Sequence, residues 1–168
     1  MVGMAVVLLL ALLRSGVSWF IALLWLFILI GPPTIMRLQA LQRVGLDWDI
    51  RDRRRRIVPL VILLTMIVCD LVFLKLFAPV ALFRLFLFFF VWTAGFFLIT
   101  VFATKISGHA AGNALAAGLI IFWYGWQWWP ILLIVPLVGW ARVVRRDHTV
   151  GQVIVGVLYS WSILLLFY

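Results

Sequence analysis

The sequence predicts an all-α, polytopic bundle of transmembrane helices with six or seven spans. Three observations carry that prediction. First, 67% of the 168 residues are hydrophobic and only 11% are charged. A soluble domain has too much surface per volume to hide so much apolar material, whereas lipid can solvate it. Second, the apolar residues form runs approaching the roughly 20 that a membrane-crossing helix needs. Third, those runs are continuous. They lack the alternating polar-in, apolar-out pattern of an outer-membrane barrel, so the backbone must satisfy its hydrogen bonds within each segment as a helix.

Taken in order, Val2–Leu13 is too short to cross alone. Arg14 and Gly16 interrupt it before Val17–Ile30 continues, giving either one long broken helix or two spans with a short first member. Pro32 and Pro33 punctuate that run. A polar stretch follows from Arg37 to Arg56. Ile57–Phe77 and Val80–Thr104 read as two spans that meet near Pro79, and Gly108–Tyr124 as a further span rich in small residues. Trp123, Tyr124, Trp126, Trp128 and Trp129 resemble an interfacial belt. Ile131–Val144 returns, and Val150–Tyr168 makes the last crossing. No internal repeat or long linker is visible, so residues 1–168 are expected to form a single membrane-embedded domain. The first segment has no basic leading region and no clear small-residue cleavage site, and it reads as part of that domain.

The charge narrows the partners. Fourteen Lys and Arg against five acids give +9. Nucleic acid is not expected, because the basic residues lie between hydrophobic runs and not on a soluble face with exposed aromatics. Membrane lipids and an anionic phosphate substrate fit better. The lone Cys69 sits in an apolar run and builds no disulfide framework. Parity of the spans adds a spatial expectation. Two spans separate Arg53–Arg56 from Lys105, and two more separate His109 from Arg142. All three polar clusters therefore emerge on one side of the membrane and can meet there.

The chain has two histidines, and each lies at a span end beside basic residues. His109 ends Lys105-Ile106-Ser107-Gly108-His109, at the start of the small-residue helix. The exposed amides of a helix N-terminus, with its dipole, favour an anion there. Gly108 permits close approach, and the Ser107 hydroxyl adds a donor. The plainer reading of Ser107 is an ordinary N-cap. Arg142 can fork two N–H donors onto phosphate oxygens. His148 and Gln152 are four apart and share a face if the last helix begins near His148. The Gln152 oxygen could then accept from the imidazole N–H, fix the tautomer and leave the other nitrogen to attack. Arg142 and His148 are six apart, so a turn must lie between them. Arg145, Arg146 and Asp147 suit that turn and read as interfacial charges. Arg51 and Arg53–Arg56 could hold acidic headgroups at about 1 kcal/mol each, or could grip a phosphate. No His-x3-His pair, thiolate cluster or carboxylate cluster suggests a metal, and no Walker loop is present. No cofactor is expected.

These clusters, in this order, resemble the type 2 phosphatidic acid phosphatase superfamily. That family carries Lys-x6-Arg-Pro, then Pro-Ser-Gly-His, then Ser-Arg-x5-His-x3-Asp. The second motif stands here as Ile106-Ser107-Gly108-His109, and the third as Ala141-Arg142-x5-His148-x3-Gln152, with its spacing intact. Gln152 replaces the family Asp, although some members carry His-Thr-x-x-Gln at this place. A neutral Gln can orient a histidine but cannot stabilise an imidazolium by charge. The first motif fits worst. Arg51 and Pro59 keep the outer spacing, Val58 stands where Arg is expected, and Arg53 or Arg56 is the nearest substitute. The resemblance implies a metal-free hydrolase of phosphoric monoesters or diphosphates, acting on a lipid or polyprenyl phosphate. In it His148 attacks phosphorus and forms a phosphohistidine, and His109 protonates the leaving alkoxide. Arg142, Ser107, Gly108, Lys105, Arg51, Arg53 and Arg56 hold the phosphoryl oxygens.

Two other readings stand beside it. A phosphatase-like but inactive subunit, binding anionic lipid or packing against membrane-protein partners, suits Gln152 and the departed first motif. A transporter would explain Asp70 and Lys75 in or near an apolar span, but the inverted repeats and broken central helices of many transporters are missing. An integral protein of the cell (inner) membrane is expected. Eleven of the 14 basic residues fall on the side of the proposed site, which leans that side toward the cytoplasm.

Overall fold

The computed structural model describes residues 2–14, 16, 18–43, 57–77 and 80–168, and among these all regular structure is helical. The elements are α1 (Val2–Arg14), α2 (Trp19–Arg43), α3 (Ile57–Phe77), α4 (Val80–Phe102), α5 (Gly108–Tyr124), α6 (Ile134–Val144) and α7 (Val150–Phe167). A 3-10 segment, Trp126–Leu133, leads directly into α6. The expected break between α1 and α2 falls at Gly16, whose φ of 79° is left-handed and which glycine adopts without strain. Its amide donates to the Leu13 carbonyl at 3.1 Å and closes the last turn of α1.

Four described helices are long and apolar enough to cross a membrane: Ile57–Leu76, Leu82–Phe102, Trp126–Val144 and Val150–Phe167. The chain is thus an integral membrane protein, and among the described residues four helices meet this length and composition, where six or seven spans were expected. Two of the remaining helices are short. α5 has 17 residues and α1 has 13, so they rise about 25 Å and 20 Å, less than the roughly 30 Å of hydrocarbon. A second difference concerns Pro32 and Pro33, which do not end α2; the helix runs on to Arg43. Membrane helices tolerate prolines where neighbouring groups take up the freed backbone atoms.

The backbone divides into two compact units, Leu8–Val101 and Met1–Val7 with Phe102–Tyr168. In the first, α2 packs along α3, and one side of α4 buries Leu82, Leu85, Phe86, Phe88, Phe89, Trp92 and Phe96. Neighbouring rings on that helix meet at an angle, with the Phe86 and Phe89 centroids 6.1 Å apart and nearly perpendicular, as aromatic quadrupoles prefer. Val61, Val68, Val72 and Leu76 of α3 are exposed, which is where lipid takes the place of water.

In the second unit α5 is the central rod, packed by α6, α7 and the 3-10 segment. Its buried residues are mostly alanines: Ala110, Ala111, Ala114, Ala116 and Ala117, with Leu115, Leu119 and Ile120. Lipid supplies no hydrophobic drive between helices, so close packing and interhelical hydrogen bonds must hold them together, and small residues permit both. The far end of α5 closes at Gly125, where φ is 92°. Trp126, Trp128 and Trp129 are exposed just beyond it.

Candidate active site

The site begins with how α5 starts. Ser107 has extended backbone angles and accepts the Ala110 amide on its hydroxyl at 3.3 Å. It is therefore the N-cap, and like Ile106 before it, it is fully buried. The Ser107 amide donates to the carbonyl of Gln152 at 3.2 Å. That single main-chain bond joins the second motif to the first turn of α7. Gly156 packs closely against this junction. A Cβ there would lie 3.1 Å from the Ser107 carbonyl oxygen. Farther along, the Ser160 hydroxyl donates to the Ala111 carbonyl at 2.9 Å, and the Trp161 indole N–H to that of Ala114 at 3.1 Å. Gly156, Ser160 and Leu164, spaced by four, make the buried stripe of α7.

The third motif is shaped by the end of α6. Arg146 adopts φ 56°. Its amide donates to the Val143 carbonyl at 2.9 Å, and the next amide, Asp147, reaches back to Arg142 at 3.1 Å. This pair of bonds is a Schellman motif with arginine where glycine is usual. It is the turn that the six-residue spacing required. Past it, Thr149 caps α7 in a capping box: its hydroxyl accepts the Gln152 amide at 3.3 Å, and the Gln152 Oε1 accepts the Thr149 amide at 3.1 Å.

That box corrects the expected role of Gln152. Helix α7 begins at Val150, so His148 lies before the cap and the four-residue helical relation to Gln152 does not hold. The Gln152 oxygen serves the Thr149 amide and not the imidazole. The signal was present in Thr149-x-x-Gln152, which is the sequence form of a capping box.

Asp147 is the residue that sequence reasoning missed. Read as an interfacial charge, it is instead buried, with its side chain only 2% exposed. Its Oδ2 stands 3.3 Å from the Arg142 Nη2 and 3.3 Å from the Arg145 Nε. Its carbonyl oxygen accepts the Lys105 ammonium at 2.8 Å. Arg142 and His148 are buried beside it in the chain, whereas Arg145 and Arg146 are exposed as expected. An acid among three arginines looks solvated in one dimension; only the turn at Arg146 folds it inward.

The structure thus brings Lys105, Ser107, Gly108, Arg142, His148 and Gln152 to one end of the α5–α7 pair. His109 occupies the first turn of α5 at that end, is exposed, and has its carbonyl capped by the Asn113 side chain at 2.8 Å. Arg51, Arg53 and Arg56 lie outside the described residues. Among the described residues no group of three His, Cys, Asp or Glu side chains is placed to hold a metal. A buried arginine and histidine, a lysine beside them and a helix N-terminus suit an anion held by fixed donors.

The chain is similar to a curated lipid phosphatase. That relative is the lipid A 4'-phosphatase of Helicobacter pylori (strain J99 / ATCC 700824), 40% identical over 62 residues. The match covers 36% of this chain and 31% of the relative, so the chain spans about a third of the length of the protein it matches. No family profile and no solved structure matches the chain.

Proposed function

We propose that this protein is a membrane-embedded phosphatase of lipid or isoprenyl phosphates, working through a phosphohistidine without metal. The observation that carries the reading is the convergence of two motifs distant in sequence. The Ser107–Gln152 and Lys105–Asp147 bonds bind the start of α5 to the start of α7. The partial likeness to a lipid A phosphatase supports the same class of substrate.

In this reading a nitrogen of His148 attacks the phosphorus. The bond from phosphorus to the lipid oxygen breaks as His109 gives that oxygen a proton. Water then attacks the phosphohistidine, His109 takes the water's proton, and inorganic phosphate leaves with His148 restored. Arg142, Lys105, Ser107 and the Gly108 amide hold the phosphoryl oxygens, with Arg51, Arg53 or Arg56 completing the set. Stabilisation of developing charge by fixed donors is the largest contribution, and a general acid adds about 10²–10⁴-fold. Because Gln152 caps α7, His148 is oriented in this scheme by the buried turn that carries it. The cell (inner) membrane is the proposed location.

The test is phosphate release by the purified protein from lipid A, phosphatidic acid and polyprenyl diphosphates. His148→Ala should lower release by at least about 10³-fold; activity surviving that change removes His148 as nucleophile. A second reading, a phosphatase-like subunit that binds anionic lipid without hydrolysis, is favoured by Gln152 serving a cap where the family has a carboxylate. Binding of anionic lipid with no phosphate release from any of these substrates selects it.

A further inference from the structure

We infer that Asp147, which occupies no motif position of the family resemblance, is a positioning residue: it is the internal counter-ion that sets Arg142 for an incoming phosphoryl group. The inference rests on the phosphatase reading above and adds a residue to that site.

Asp147 is tied to Arg142 twice. Its Oδ2 is 3.3 Å from the guanidinium, and its amide donates to the Arg142 carbonyl at 3.1 Å. The main-chain bond fixes where Asp147 starts, because the Schellman turn folds it back over the last turn of α6. The ion pair then fixes where the guanidinium ends. Both side chains are nearly buried, at 10% and 2% exposure, so water screens the pair weakly. Arg145 and Lys105 complete the grip, one on the same oxygen and one on the Asp147 carbonyl. Lys105 stands two residues before the α5 cap, so Asp147 also links the α6–α7 turn to the second motif.

Charge balance gives the residue a second, opposing effect. Arg142 and Arg145 flank the carboxylate and Lys105 holds the main-chain carbonyl of the same residue, so an excess of positive charge remains to attract an anion. Asp147 nonetheless repels that anion. Each ion pair is 3.3 Å long, beyond the roughly 2.8 Å of a tight charge-assisted hydrogen bond. The pair holds the Arg142 side chain in place at the end of α6. Positioning raises turnover while like charge weakens phosphate binding, and these opposite signs separate the role from a merely structural one.

The experiment uses the full chain in detergent micelles and compares wild type with Asp147→Asn and Asp147→Glu. It measures kcat and KM on a lipid phosphate, and inhibition by inorganic phosphate. With Asn, kcat should fall about tenfold or more, since misplacing a binding group by about 1 Å can cost 10²-fold, and phosphate should inhibit several-fold more tightly. Asp147→Glu should recover part of kcat with inhibition near wild type. Adding Asp147→Asn to Arg142→Gln should slow the enzyme no further. An unchanged kcat in Asp147→Asn, or weaker phosphate inhibition alongside a lower kcat, overturns the inference. If Asp147→Asn yields no folded protein, Asp147→Glu decides: lower kcat with unchanged inhibition supports the role, and both unchanged removes it. A wild type that releases no phosphate ends the phosphatase reading instead. Direct binding of inorganic phosphate then decides for Asp147, with tighter binding to the Asn variant in favour and equal or weaker binding against.

Discussion

The two units of this chain are both greasy, yet they are built from opposite materials. In the Leu8–Val101 unit, α4 buries large side chains, five of them aromatic. In the other, α5 and α7 meet through Ala111, Ala114, Gly118, Gly156 and Ser160, and the backbones come close enough for main-chain groups to bond across the seam. The first kind of packing fills volume. The second brings backbones close enough to bond, which suits a site made of fixed donors. Mass of hydrophobic residue therefore says little about where chemistry can sit. The alanine, glycine and serine positions say more.

The difference between the two units is largest at Gly156. Gly156→Val places a branched side chain against the Ser107 carbonyl and should destabilise by about 1–3 kcal/mol, with activity falling further than stability explains. Val68→Leu on the exposed face of α3, a change of similar chemistry, should stay within about 0.5 kcal/mol. Unfolding in mixed micelles compares the two, and equal effects would erase the distinction between the units. Next in size is Thr149→Ala, which removes the cap of α7 and should cost about 1 kcal/mol. The same titration reads it, and a null result would make the capping box ornamental. Smallest is a gain. Arg146→Gly relieves a left-handed arginine and should raise stability by about 0.5–1 kcal/mol, seen as a higher melting temperature. A loss there would mean that the exposed Arg146 side chain contributes more than its backbone costs.

Much of this was legible in the sequence. Continuous apolar runs gave helices, Gly16 gave a break, and Ser107 gave the start of α5. The six-residue interval from Arg142 to His148 demanded a turn, and one is there. Run length alone does not fix the span count, because it ignores whether a short segment such as α5 is sheathed by protein or reaches both surfaces. Pro32 and Pro33 misled, since breaker rules come from helices in water. Gln152 was paired with His148 by their four-residue spacing, when its own pattern with Thr149 pointed to a cap. Asp147 was hidden because charge patterning is one-dimensional, and burial of a carboxylate depends on a left-handed residue that nothing in the composition announces.

The contact between the Ser107 amide and the Gln152 carbonyl belongs to the polypeptide itself. Exchanging the side chain at 152 leaves the carbonyl in place, and at 107 only proline, lacking the hydrogen, would cut the tie directly. An inventory of motif letters is blind to such a link. Two relatives can differ at those letters while their histidines are delivered to the same address, and position 152 is then at liberty to serve a helix end.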